Sequence, residues 1–205
     1  MSNIHFWKTL ALFLLAAPAS AQGVVSIDFH LSGFPGPSAL IGYYKGGSSY
    51  RVDSVGVDET GHFTLQKSGL LPGIYFVAAD KTRLFDFILP AGSDTFSLSG
   101  NAADWSAIKA EASPQNTAFF NFEQQRQTVE AKIIARQQMY DMVSKATNSD
   151  PKALNPLEKE IDGYYWQIDS MARVFIVQYP QHLYARMLKS VRPPDPPKSL
   201  TPTLK

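Results

Sequence analysis

Hydrophobic and polar residues alternate along the first half of the chain in the pattern of β-strands. Val25, Ile27, Phe29 and Leu31 are apolar, and the residues between them are polar. A strand places such alternating positions on opposite faces. Turn-forming Gly, Pro and Asp residues separate this segment from six further short apolar segments. The pattern predicts seven strands, at residues 25–31, 40–44, 50–57, 62–66, 74–79, 83–89 and 94–99.

The third and fourth of these strands are predicted to form a hairpin. Residues 58–61 between them read Asp-Glu-Thr-Gly, and Gly61 suits a positive φ at the end of a turn. Isolated hairpins are only marginally stable in water, so the seven strands need a common apolar core. We therefore predict an antiparallel β-sandwich or small barrel over residues 22–100.

The apolar spacing changes to that of helices from Ser113 onward. A first helix is predicted over residues 116–146, and residues 147–155 are predicted as a connector. Asn155 and Pro156 give a cap and first-turn signal for a second helix, and Pro180 begins a third, shorter one. Two long helices with a short connector predict an antiparallel hairpin within a helical segment at residues 101–192. The predicted fold class is therefore α+β.

The two long helices carry matching apolar stripes, which need a partner. The stripe residues are Phe119, Phe122, Val129, Ile133, Ile161, Tyr164 and Ile168. An uncovered stripe of this size is rare in proteins that face water. The stripes are predicted to pack on each other within the chain, and a helix interface between subunits is the alternative.

The ends of the chain predict export and a linker. Residues 1–21 contain a lysine, an uninterrupted apolar run at residues 10–17 and small residues before Gln22, as secretory signals do. The run is shorter than the roughly 20 residues that span a bilayer. Cleavage after Ala21 would leave a periplasmic or secreted chain without a membrane span. Residues 193–205 begin with a proline-rich stretch that favours an extended linker or a truncated tail.

Charge and cysteine content exclude several functions. Nineteen Lys and Arg balance eighteen Asp and Glu, so the net charge of +1 provides no uniform field for nucleic acid. The chain has no cysteine, which excludes disulfides, thiolate metal ligands and thiol nucleophiles.

Six segments carry a resemblance to a known family. They are residues 42–44, 50–55, 61–63, 71–76, 85–89 and 96–98, and include Gly-Tyr-Tyr and Leu-Pro-Gly-Ile-Tyr-Phe. Over about residues 24–197 the chain resembles an uncharacterised envelope family of Bacteroidetes-type bacteria. In that family a β-sandwich of unknown function and a helical segment precede a thioredoxin-like domain. The resemblance implies an accessory module in an envelope thiol-redox setting.

The chain departs from that family in one respect that bears on chemistry. A thioredoxin-like domain needs a Cys-x-x-Cys pair, and this sequence has no cysteine. Residues 198–205 stand where that domain would begin, so a truncated, frame-shifted or abbreviated member is expected. We therefore expect a non-enzymatic module that binds an envelope protein or a glycan.

The sequence contains few candidate residues for catalysis or metal binding. His30, His62 and His182 are far apart, without the spacing of a metal site. No nucleophile motif or phosphate-binding loop is present, so no catalytic residue, metal or cofactor is predicted. Asp86 lies between Phe85 and Phe87, and the sequence favours an exposed carboxylate on the face opposite these rings.

Aromatic residues give the glycan-binding alternative. Tyr43, Tyr44 and Trp105 could stack on the apolar faces of sugars, although cross-strand packing is the favoured explanation for them. A scaffold that oligomerises through its helices is the other alternative.

Overall fold

The computed structural model describes residues 23–92, 95–146 and 150–192. The predicted signal segment at residues 1–21 and the predicted tail at residues 193–205 lie outside the described residues. The strands are β1 (Val24–Ser32), β2 (Ser38–Lys45), β3 (Ser48–Gly56), β4 (His62–Ser68), β5 (Gly73–Ala79), β6 (Thr82–Leu89), β7 (Thr95–Asn101) and β8 (Asp104–Glu111). The helices are α1 (Pro114–Ala146), α2 (Pro151–Gln178) and α3 (Leu183–Val191).

The strands form two four-stranded sheets. The first has the order β4-β1-β7-β8 and the second the order β3-β2-β5-β6. β1 and β7 pair in parallel, and the other pairs are antiparallel. The alternating apolar positions of β1 face the interior, where Ile27, Phe29 and Leu31 are fully buried. The sheets therefore bury one face each in a common core, as period-two patterning predicts.

Helix α1 packs along strands β6 and β8, which are the edge strands of the two sheets on the same side of the sandwich. Phe119 and Phe120 of α1 belong to the core of the sandwich. Asn116 is fully buried and hydrogen-bonds to the backbone of Ile88 in β6. The first turns of α1 therefore belong to the sandwich rather than to a separate helical unit.

Helices α1 and α2 form an antiparallel hairpin, and α3 packs at its base. Phe122 of α1 contacts Phe175 of α2, with ring centroids 5.1 Å apart, and Tyr184 of α3 at 5.7 Å. Farther along the hairpin, Arg136 forms an ion pair with Glu160 at 2.6 Å. A predominantly aromatic cluster therefore fixes the base of the hairpin, and polar contacts contribute to its distal part.

The fold class predicted from the sequence is confirmed, with corrections in detail. An eighth strand, β8, lies in the segment predicted to be helical. The predicted hairpin of the third and fourth strands is wrong, because β3 and β4 belong to different sheets and β4 pairs with β1. Helix α2 begins at Pro151, since Asp150 caps it by accepting a hydrogen bond from the Lys152 N–H at 3.0 Å. Pro156 consequently lies inside the helix, and α3 begins at Leu183 rather than Pro180.

The apolar stripes of the helices are covered to different degrees. Phe119, Phe122, Val129 and Ile133 are buried within the chain. Residues 161, 164 and 168 of α2 are half-buried. Among the described residues, no helix combines the length and apolar character needed to cross a bilayer.

Candidate functional site

Polar side chains meet on the outer face of the first sheet, where β1 and β4 pair. The period of two that buries Phe29 turns Asp28 and His30 outward, and the same alternation turns His62 and Thr64 outward from β4. The antiparallel register places His30 opposite His62 and Asp28 opposite Thr64. Directly opposite residues on one face are close enough for their side chains to interact. The register alone therefore assembles the cluster.

The two imidazoles converge on one carboxylate. The His30 Nε2 lies 2.6 Å from Oδ2 of Asp28, and the His62 Nε2 lies 2.7 Å from Oδ1. Thr64 Oγ1 donates a hydrogen bond to Oδ1 at 2.8 Å. The two imidazole rings stack with their centroids 4.6 Å apart. One ligand atom from each of Asp28, His30 and His62 lies within 4.8 Å of the others. We call these three residues the outer-face cluster.

The outer-face cluster is open to solvent on one side. The exposed fractions of the side chains are 56% for His30, 36% for Asp28 and 38% for His62. Burial opposes ionisation of Asp28, but hydrogen bonds with His62, Thr64 and His30 hold the pKa of its carboxyl below the ordinary value. The hydrogen bond to Asp28 raises the pKa of His62. The cluster therefore combines an ionised carboxylate with two partly exposed imidazoles.

A tight turn before β4 orients His62. Asp58 Oδ1 accepts hydrogen bonds from the Thr60 N–H at 2.9 Å, the Thr60 hydroxyl at 2.7 Å and the His62 N–H at 2.9 Å. These hydrogen bonds, those from Thr60 first among them, lower the pKa of Asp58 to about 2. Asp58 Oδ2 lies 3.6 Å from the His62 Nδ1. One carboxylate therefore faces Nδ1 of His62, while Nε2 points into the cluster.

Gly61 fixes that turn against β1. It adopts a φ of +83°, and a Cβ there would lie 2.0 Å from the Leu31 carbonyl oxygen. The Gly61 carbonyl accepts a hydrogen bond from the Leu31 N–H at 2.9 Å. Glycine is required because any side chain would collide with backbone. The backbone immediately before His62 is therefore held directly beside that following His30.

The third described histidine lies elsewhere. His182 is the N-cap residue of α3, and its ring stacks on Tyr179 with centroids 4.7 Å apart. The sequence prediction treated all three histidines as dispersed, and the structure brings His30 and His62 together. The sequence does indicate that His30 and His62 both point outward from predicted strands. The pairing of β1 with β4, which brings the two histidines together, is not specified by any local feature of the sequence.

The aromatic residues predicted for sugar stacking are divided between two environments. Tyr43 packs against the core, with its ring 5.8 Å from that of Tyr75. Tyr44 contacts Phe76 at 5.2 Å and donates a hydrogen bond to Asp86 at 3.2 Å. Trp105 lines a cavity beside α1. The structure therefore associates Tyr44, through Asp86, with the cavity that Trp105 lines, and leaves Tyr43 in the packing of the sheet.

Asp86 is more enclosed than the sequence suggests. Its side chain keeps 24% of its surface exposed, although the alternation of β6 directs it away from the core. Tyr44 and Arg83 contact its carboxylate, and Phe119 and Glu123 of α1 line the cavity beside it.

Comparison of the chain with known protein families, with curated proteins and with solved structures finds no match.

Proposed function

We propose that this protein is a binding module that holds one divalent transition-metal ion at the outer-face cluster. The observation that carries the proposal is the convergence of the His30 and His62 Nε2 atoms on the Asp28 carboxylate. Two imidazoles and one carboxylate are a ligand set used for zinc and related ions in proteins.

The spacing of the ligand atoms suits chelation after small side-chain rotations. Zinc binds imidazole nitrogen at about 2.0–2.1 Å, so two ligands of one ion stand roughly 3–4 Å apart. The ligand atoms of the cluster lie within 4.8 Å of one another. Their side chains are partly exposed, which leaves room for the rotation and an entry path for the ion.

The surroundings of His62 support the same proposal. Metal-binding histidines commonly direct their second ring nitrogen at a carboxylate, which fixes the ring orientation and increases the basicity of the ligating nitrogen. Asp58 stands in that place, 3.6 Å from the His62 Nδ1. Thr64, which hydrogen-bonds to Asp28, gives the carboxylate a comparable support.

Three side chains leave coordination positions of the ion free for water or for a ligand from a partner. Imidazole and carboxylate favour zinc, nickel or copper(II) over calcium and magnesium, which prefer all-oxygen sites. We propose no reaction at the ion. The periplasmic location and the association with envelope redox proteins remain predictions from the sequence.

Cobalt(II) titration of the full chain tests the proposal. Cobalt(II) reports its ligands through visible absorption and can be displaced by zinc. We expect one ion per chain, and we expect His30→Ala and His62→Ala each to weaken binding at least tenfold. Asp28→Asn keeps the shape of the carboxylate without its charge, and we expect the same direction of change.

His182→Ala is the matched control, because His182 is the remaining histidine outside the predicted signal segment. It is expected to bind cobalt(II) as the unchanged protein does. Loss of binding in the control, with binding retained in His30→Ala, would reject the outer-face cluster as the site.

A further inference from the structure

A second polar site, separate from the outer-face cluster, lies where α1 meets the edges of the two sheets. A cavity of about 190 Å³ opens between β6, β8 and α1. A cavity of roughly 150 Å³ accommodates a benzene-sized molecule, so this one has room for a small organic group. The charged and aromatic side chains that the argument uses are those of Arg83, Asp86, Trp105, Phe119, Glu123 and Arg126, all of which line the cavity.

Glu123, the carboxylate that α1 contributes to the cavity, accepts hydrogen bonds on both of its oxygens. Glu123 is buried and accepts two hydrogen bonds on Oε2 from Arg126, at 2.6 and 3.1 Å. Its Oε1 accepts a hydrogen bond from the Tyr184 hydroxyl at 2.6 Å. Arg126 also pairs with Glu130, one turn further along α1. Glu123 is therefore held in place by partners on two helices.

Asp86 on the strand wall has weaker partners. Tyr44 donates a hydrogen bond to its Oδ1 at 3.2 Å, and the Arg83 Nε lies 3.6 Å from the same oxygen. Within the described part of the chain, Oδ2 of Asp86 receives no hydrogen bond. Burial raises the pKa of Asp86; Arg83 and the Tyr44 hydrogen bond oppose the rise, and the charge of Glu123 adds to it. Asp86 is therefore a partly buried carboxylate that the fold leaves incompletely neutralised.

The charged groups that line the cavity are two carboxylates, of Asp86 and Glu123, and two guanidinium groups, of Arg83 and Arg126. Arg126 pairs with Glu123 and with Glu130, so Arg83 is the cation that remains for Asp86. Arg83 is directed toward solvent, with 58% of its side chain exposed, and donates a hydrogen bond to the Tyr44 hydroxyl at 2.5 Å. Oδ2 of Asp86 is therefore the acceptor that a bound cation can use.

The apolar walls select the kind of cation. Trp105 and Phe119 line the same cavity as the acidic residues. An indole ring attracts an ammonium group through its face and packs on the attached hydrocarbon. A hydrated metal ion would gain nothing from these rings, whereas an alkylammonium group uses both the carboxylate and the aromatic surface.

We propose that this junction cavity binds a primary alkylammonium group, with Asp86 as its anionic contact and Trp105 as its aromatic wall. Lysine side chains and small aliphatic amines present this chemistry. The site does not depend on the outer-face cluster, so either proposal can fail without the other.

NMR titration of the full chain with n-pentylammonium tests this proposal, with the indole N–H of Trp105 as reporter. Pentanoate and 1-pentanol are the matched anionic and neutral probes. We expect saturable shifts with pentylammonium and affinities at least tenfold weaker for the other two. Asp86→Asn is expected to weaken pentylammonium binding at least tenfold. Asp80→Asn makes the same change at an exposed position of the preceding turn and is expected to leave binding unchanged.

Thermal unfolding of Asp86→Asn separates loss of binding from loss of fold. We expect an unfolding midpoint no lower than that of the unchanged protein, because the substitution removes an unfavourably buried charge. Trp105→Leu is the second variant and is expected to weaken pentylammonium binding at least threefold, measured by calorimetry. Equal binding of pentylammonium by Asp86→Asn and the unchanged protein, or tighter binding of pentanoate, would overturn the proposal.

Discussion

The side-chain amide of Asn116 pairs with the backbone of Ile88 as a neighbouring strand would. The Ile88 N–H donates to Asn116 Oδ1 at 2.7 Å, and Asn116 Nδ2 donates to the Ile88 carbonyl at 2.7 Å. Asn116 also donates to the Ser113 hydroxyl at 2.8 Å and is fully buried. A helix residue thus satisfies the backbone N–H and carbonyl of Ile88 on edge strand β6 and attaches the helical hairpin to the sandwich.

Replacing Asn116 should therefore weaken the whole fold. Asn116→Ala leaves a buried N–H and a buried carbonyl of Ile88 without partners, and each such group costs about 1–3 kcal/mol. We expect the free energy of unfolding, measured with urea, to fall by about 2–4 kcal/mol. Asn121→Ala, at an exposed position of the same helix, is the control and should change it by less than about 0.5 kcal/mol. Equal effects of the two substitutions would show that the Ile88 contact contributes little.

Gly61→Ala should damage the turn that positions His62. The new Cβ would lie 2.0 Å from the Leu31 carbonyl oxygen, and neither backbone can move without disturbing the β1–β4 pairing. We expect a loss of about 2 kcal/mol or more in the free energy of unfolding, together with weaker cobalt(II) binding.

Gly47→Ala is the matched control for that substitution. Gly47 has a similar φ of +79°, but a Cβ there would meet no atom within 4 Å. Gly47→Ala therefore introduces the backbone strain of a positive φ without a collision. We expect it to lower the free energy of unfolding by about 1–2 kcal/mol. An effect of Gly61→Ala no larger than that of Gly47→Ala would contradict the role given to the contact with Leu31.

Lowering the pH should destabilise the same turn by protonating Asp58. Hydrogen bonds from Thr60 and from the His62 N–H lower the pKa of Asp58 to about 2, against about 3.9 in an unfolded chain. A lowered carboxyl pKa contributes stability that is fully present above the unfolded value and is lost as the pH falls through the folded value. We expect carbon-13 NMR to give a pKa near 2 for this carboxyl. A value near 3.9 would mean that the turn is not formed as described.

His62 should titrate above its ordinary range. Its hydrogen bond to Asp28 raises the pKa of the imidazole above 6.5, so the stability gained from the pair is present below pH 6.5 and is lost as the pH rises through the folded pKa. Asp28→Asn should return the pKa toward 6.5 in an NMR titration of the metal-free protein. An unchanged pKa in that variant would assign the shift to another group.

The strands with regular alternation could be predicted from the sequence, and β8 could not. The interior positions of β1 are all large and apolar, which only a strand explains. In β8, Ile108 is the single buried residue, and the strand lies at the edge of its sheet. An edge strand with so few buried side chains lacks the periodic signal on which the prediction depends.

The pairing of strands that are distant in the chain is harder to predict from the sequence than the strands themselves. The turn at residues 58–61 predicts a hairpin of neighbouring segments, but it carries the chain from the second sheet to the first, where β4 pairs with β1. The outer-face cluster depends on that pairing, since His30 and His62 face each other only through it. Local sequence signals specify turns and periodicity, whereas the choice of partner strand depends on how the whole core is filled.

The most direct measurement is nitrogen-15 NMR of the imidazole rings as zinc is added to the full chain. Binding at the outer-face cluster predicts that the Nε2 resonances of His30 and His62 shift together and saturate at one zinc per chain. The resonances of His182 should stay unchanged. Zinc that moves the resonances of His182 and leaves those of His30 and His62 in place would contradict the proposed metal-binding function.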